Sequence, residues 1–215
     1  MSKYLAYIST PGGSIKRSSL EVLSHVAQIA KRDGAECVAV VANSAGETIA
    51  NDLARYGAAH VLVANDPIYD SIASEPLTDL LANIVQSDSP TFMAFASTEG
   101  VKDFLGALAI KSGASAIPDV SSFDVDGGKI TALRPVMAAK TLARTVAAAG
   151  PVLVSVRSGS YDVVESPAQS MVKTVSFSST PTDRKTIREV VTATAGTVDL
   201  SEASVVVSAG RGVRD

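Results

Sequence analysis

The sharpest chemical feature of the chain is Gly210-Arg211-Gly212, which follows the apolar run Val205-Val206-Val207. The segment 203–215 reads as a buried strand entering a turn. Glycines on either side of a guanidinium let backbone come close to a phosphate and set a cation beside it. The planar donor fork of arginine suits a pyrophosphate or a flavin ring edge. A helix would ordinarily follow and supply the rest of an anion site. The sequence ends at Asp215, so the expectation is a cofactor site of which only the beginning is present. The alternative is an ordinary polar terminus.

Other residues of reactive type are less well placed for chemistry. Thr10-Pro11-Gly12-Gly13-Ser14 falls between the first predicted strand and helix, where open parallel sheets bind ligands. It carries neither of the glycine-rich phosphate fingerprints, so a plain tight turn competes with phosphate binding. Ser97-Thr98-Glu99-Gly100 opens a predicted helix, and its hydroxyls read as caps. Asp119, Asp124 and Asp126 lie near a predicted hairpin, without the spacing of a calcium loop, and read as a solvated turn. Arg134, Arg144 and Arg157 alternate with apolar strand residues; they fit a sheet edge or, as the alternative, a subunit interface. His25 and His60 have no partner at metal-ligand spacing, and no Gly-x-Ser-x-Gly elbow is present. Cys37 sits in the run Cys37-Val38-Ala39-Val40-Val41-Ala42 and reads as a small buried hydrophobe.

Composition bounds the setting. With 215 residues, 46% hydrophobic and 19% charged, the chain can bury a full core. A net charge of −3, no basic cluster and no Trp argue against nucleic acid. One cysteine excludes an internal disulfide framework. The first apolar stretch, Tyr4 to Ile8, is too short for a secretory core, and no run reaches the ~18 residues of a membrane span. A soluble, reducing, cytoplasmic protein is expected.

The elements that must position these residues alternate in type through the first half. Strands are predicted at Lys3–Ser9, 35–42, Val61–Ala64 and Thr91–Ala96. Each is followed by a helix with apolar residues at helical spacing, and glycines 34, 57 and 113 end three of these helices. Ser18 with Glu21, and Ser44 with Glu47, match capping boxes. Four strand–helix units in order predict a doubly wound, mainly parallel sheet flanked by helices, a three-layer α/β/α arrangement. After Gly113 the chain becomes β-rich, with strand-like pieces at Asp119–Val125, Lys129–Val136, Val152–Arg157, Met171–Phe177 and Thr186–Thr194. Asp126-Gly127-Gly128 signals a hairpin. Ala138–Ala149 mixes helix-forming alanines with strand-forming threonine and valine. Ser178–Asp183 reads as an exposed loop and Thr194–Ser201 as a linker. The domain division is therefore 1–200, an α/β domain, and 201–215, the linker and first strand of a second domain.

Several stretches in order resemble the amino-terminal domain of the electron transfer flavoprotein alpha subunit. They are Ser19-Leu20-Glu21-Val22-Leu23, Tyr56-Gly57-Ala58-Ala59-His60-Val61-Leu62-Val63, Lys102-Asp103-Phe104-Leu105 with Leu108 to Ala114, Asp119-Val120, Arg134-Pro135 and Val207-Ser208-Ala209-Gly210-Arg211-Gly212. The resemblance implies a scaffold that packs against a beta subunit and supports an FAD-binding domain. Such a complex carries electrons from flavin dehydrogenases, those of fatty acid oxidation included, to a quinone oxidoreductase or another acceptor. It also implies that Arg211, with Gly210 and Gly212, contacts the flavin, whose anionic reduced form a fixed cation would favour. By the same resemblance Ala138–Ala149 is extended. The sequence departs from the family at Ala209, Ala139-Lys140 and Arg157-Ser158-Gly159. A chain ending at 215 is not expected to retain FAD, and as an isolated domain it is expected to self-associate through uncovered apolar surface or to carry a mobile tail from Ser204 onward. The competing reading is an adenine-nucleotide-binding module of the universal-stress or ATP-pyrophosphatase-like type, with its ligand near Pro11-Gly12-Gly13.

Overall fold

The computed structural model describes residues 1–70, 74–147, 150–177, 189, 200, 203 and 205–213. The strands are β1 (Lys3–Ile8), β2 (Glu36–Ala42), β3 (His60–Ala64), β4 (Phe92–Ala96), β5 (Ser115–Val120), β6 (Ser122–Asp126), β7 (Lys129–Val136), β8 (Thr141–Ala147), β9 (Val152–Val156) and β10 (Met171–Thr174). The helices are α1 (Arg17–Asp33), α2 (Gly46–Leu53), α3 (Ser74–Asp88) and α4 (Glu99–Ser112).

The central strands are near-continuous runs of Val, Ala, Ile, Leu and Phe because both their faces are covered. They build a seven-stranded sheet in the order β10-β3-β2-β1-β4-β9-β5, with every pair parallel. Helices α1 and α2 pack one face, in a cluster containing Leu23, Val26, Leu53, Phe92 and Val154. Helices α3 and α4 pack the other, with Leu80, Leu81, Phe104, Leu108 and Phe95. The three-layer α/β/α arrangement expected from the alternating pattern is thus present. So is the β-rich second half: β6, β7 and β8 form a separate antiparallel sheet, joined at β6–β7 by the two-residue Gly127-Gly128 turn with both φ positive (54° and 79°). Of the segment expected to be extended, 138–149, residues 141–147 form β8, 138–140 belong to a turn with Ala138 and Ala139 at positive φ, and 148–149 lie outside the described residues.

Four expectations need correction. First, neither capping box forms. Helix α1 begins at Arg17 after an extended Lys16; the Ser19 hydroxyl accepts from Ser9 N at 3.1 Å and the Glu21 carboxylate accepts from Gly159 N at 2.7 Å. At α2 the Asn43 carboxamide oxygen accepts from Ala45 N at 2.8 Å while Ser44 N donates to Asp70. Of the box residues, Glu21 is claimed by a partner distant in sequence. Second, the piece Asp119–Val125 is two strands. Pro118 and Asp119 form an irregularity at the end of β5, with Asp119 at φ 59°, and the chain then leaves the parallel sheet for β6. Third, the pieces Val152–Arg157 and Met171–Phe177 are the shorter β9 and β10, which lie in the parallel sheet, at the β4–β5 gap and at the edge beyond β3. Fourth, Val205–Val207 are not a buried strand: Val207 is 92% exposed, and the segment pairs with no strand among the described residues. Apart from Glu189 and Leu200, the expected strand at Thr186–Thr194, the loop at 178–183 and the 194–201 linker lie outside the described residues.

Candidate functional site

Gly210, Arg211 and Gly212 form an exposed turn closed by Val213 N donating to Gly210 O at 3.1 Å. A Cβ built on either glycine meets open space. The turn therefore fits one guanidinium contact to a ligand edge, and encloses nothing by itself.

The carboxyl ends of β4, β5 and β9 bring together Ser97, Asp119, Ser155 and Arg157. Arg157 donates to Asp119 at 2.8 Å, Ser97 Oγ donates to Asp119 at 3.1 Å, and Asp119 N donates to Ser155 Oγ at 2.9 Å. The Arg157 hydrogen bond holds the Asp119 carboxyl below the usual carboxylate range. Thr98 caps α4 by accepting from Val101 N at 3.3 Å, as its position predicts. On the neighbouring strand β1, the Thr10–Ser14 loop is a 3-10 turn. Gly13 N donates to Thr10 O and Ser14 N to Pro11 O. Two of the amides a phosphate would need are thereby engaged within the loop.

The three aspartates near the hairpin do not share a solvated turn. Asp119 pairs with Arg157, Asp124 pairs with Arg32 at 2.8 Å, and Asp126 remains at the turn itself. The arginines separate likewise: Arg157 belongs to the cluster above, while Arg134 and Arg144 lie on β7 and β8.

A concavity of about 730 Å³ lies between α1 and the antiparallel sheet; its wall includes His25, Gln28 and Arg32, and its floor Asp124, Thr131 and Arg144. The His25 ring stacks on Tyr161 with centroids 3.6 Å apart and planes 9° off parallel. His25 Nε2 lies 2.9 Å from Phe123 O; the Tyr161 hydroxyl accepts from Phe123 N at 2.8 Å. Burial pulls the His25 pKa below its ordinary 6.5 and pushes the Tyr161 phenol up to about 12. At neutral pH both groups are uncharged, and both are spent on one backbone residue of β6. They fix α1, β6 and the 157–164 strap together rather than move protons.

Sequence reasoning missed Tyr161 and took Glu21 for a capping residue. Their partners lie 38 and 138 positions away, so no local spacing could reveal them. His25 was visible only as a histidine lacking a metal partner.

Comparison with known proteins places this geometry. The family model described as "Electron transfer flavoprotein domain" matches residues 5–197. A protein of Bacillus subtilis (strain 168) named electron transfer flavoprotein subunit alpha is 29% identical over 83% of the chain and 55% of its own length. One of the same name from Syntrophomonas wolfei is 29% identical over 97% of the chain and 65% of its length. Protein FixB of Clostridium saccharobutylicum is 28% identical over 94% and 61%. The chain thus spans roughly half to two thirds of the length of these three relatives.

Proposed function

The chain belongs to the electron transfer flavoprotein domain family, and we propose that it is the amino-terminal, partner-binding domain of an electron transfer flavoprotein alpha subunit. The observation that carries this reading is the extent of the match: it runs through the doubly wound body and the antiparallel sheet alike.

In this reading the full subunit pairs with a beta subunit and relays electrons from flavin dehydrogenases to a quinone oxidoreductase or another acceptor. FAD, when bound, supplies reversible electron storage. The domain that holds it begins near residue 201, and Arg211, between Gly210 and Gly212, is this chain's contribution to the site. Its guanidinium would supply a fixed positive charge to a flavin bound there and so favour extra negative charge on the ring. The residues before 200 serve differently. Their two helix layers and buried strands make a rigid platform, and the strap from Arg157 to Ala168 ties β9 across α1 by Glu21–Gly159, Ser24–Val164 and Ser166–Arg55 hydrogen bonds. No helix among the described residues is long and apolar enough to cross a membrane, and a cytoplasmic setting completes the proposal.

The test is assembly. Mixed with an electron transfer flavoprotein beta subunit of the same organism, the protein bearing this chain should elute as a one-to-one complex by size exclusion with light scattering. Two species that stay separate at micromolar concentration would overturn the proposal.

A further inference from the structure

The two edges of the antiparallel sheet are treated in opposite ways. The β6 edge is blocked by side chains. Phe123 N and O are taken by Tyr161 and His25, Val125 O accepts from Arg32 at 2.7 Å, and Val125 N donates to the Asp124 carboxylate at 2.8 Å. The β8 edge is open: β8 pairs with β7 alone, and among the described residues nothing bonds its outer side. An open, seven-residue edge strand without proline is a template for another strand.

Register adds the second observation. Thr131 faces Val146, Leu133 faces Arg144 and Pro135 faces Leu142, so these six share one face of the sheet. Thr131, Leu133 and Arg144 of that face floor the 730 Å³ groove. The opposite face, with Phe123, Val125, Ile130 and Ala132, is buried in the core. On the open face Leu142 and Val146 are 58% and 56% exposed.

Charge supplies the third. From Lys129 to Ala147 the only ionisable side chains are Lys129, Arg134, Lys140 and Arg144, in a chain whose net charge is −3. Among the described residues none of the four makes an ion pair. No aromatic residue accompanies them, which disfavours a nucleic-acid surface. A second copy paired antiparallel on β8 about its centre would set Arg144 against Arg144, and directly opposed like charges are destabilising.

We propose that β8 is a strand-addition site for an acidic, partly apolar extended segment of the partner protein. Its backbone continues the sheet as a fourth strand, its carboxylates meet Lys140 and Arg144, and its apolar side chains cover Leu142 and Val146. This rests on the reading that the chain pairs with a beta subunit, and it adds the surface and the chemistry of the segment that docks there.

The test uses the protein bearing this chain, the electron transfer flavoprotein beta subunit of the same organism, and hydrogen exchange with mass spectrometry. On binding, peptides covering 141–147 should gain protection, while those covering β6, already blocked, should change little. The double variant Lys140→Glu, Arg144→Glu, shown by circular dichroism to keep the wild-type spectrum, should bind the beta subunit at least about tenfold more weakly. Wild-type affinity should fall as NaCl rises. Wild-type affinity of the variant together with unprotected 141–147 would overturn the strand site and leave the pairing standing. Absence of any complex would overturn both. Protection of 141–147 by a second copy alone, or by single-stranded DNA in place of the beta subunit, would also overturn the proposal.

Discussion

Gly57 is where one added methyl group should do the most damage for its size. It ends the turn after α2 with φ 93°, and a Cβ built there falls 2.6 Å from the Ala27 Cβ on α1 and 3.5 Å from the Ser166 carbonyl of the strap. Two costs add in Gly57→Ala. The left-handed backbone penalises an L-residue by about 1–2 kcal/mol. Forcing a methyl into the packed gap between α1 and the strap costs about 1–3 kcal/mol more. The expected loss is roughly 2–5 kcal/mol, or a Tm lower by roughly 5–15 °C for a domain of this size. Gly34→Ala is the internal control. Gly34 also has positive φ, 64°, yet its Cβ would meet nothing within 4 Å, so only the backbone cost of about 1–2 kcal/mol applies. Urea titration of both variants separates the two contributions. If Gly57→Ala proves no less stable than Gly34→Ala, the claimed close packing of strap on helix is wrong.

Other outcomes follow from the same contacts. Tyr161→Phe leaves Phe123 N without its 2.8 Å partner and should cost about 1–2 kcal/mol, with faster exchange of the Phe123 amide by NMR; unchanged exchange would count against the Tyr161 clamp. His25 should make stability pH-dependent. Its folded pKa lies below the unfolded 6.5, so the unfolded state binds more protons, and stability is lost as pH falls from 6.5 through the folded value. A melting series from pH 7.5 to 5 should therefore be flatter for His25→Gln than for wild type, and parallel profiles would refute the assignment. Asp119, at φ 59°, should tolerate Asn, which adopts this conformation and keeps a hydrogen bond to Arg157, whereas Asp119→Val should cost about 2 kcal/mol or more; equal stabilities by thermal melting would contradict the strain argument.

Much of the parallel body was legible because its evidence is local. The runs at 36–42 and 92–96 are apolar on both faces, and glycines 34, 57 and 113 sit where helices or turns end in left-handed geometry. Gly127-Gly128 fixed the hairpin for the same reason. What stayed hidden depends on partners distant in sequence. Ser18 and Glu21 match a capping motif, yet Gly159, 138 residues from Glu21, takes the carboxylate. The turn from β5 into β6 rests on Asp119 meeting Arg157, Ser97 and Ser155, which no periodicity encodes. Val205–Val207 have the composition of a core strand, and composition alone could not say whether another strand lies beside them. Of the candidate site, Arg211 was visible as a residue type between glycines, whereas the groove, the His25–Tyr161 stack and the open β8 edge exist only once the fold assembles.

We propose that this chain is the platform of a flavin-carrying electron shuttle. The most direct test is the absorption spectrum of the protein purified, under native conditions and with its associated subunit, as its own gene encodes it. Such a complex should show the two visible bands of bound flavin, bleached by dithionite and restored by air, with FAD released on denaturation. A well-folded complex that is colourless and yields no flavin would contradict it.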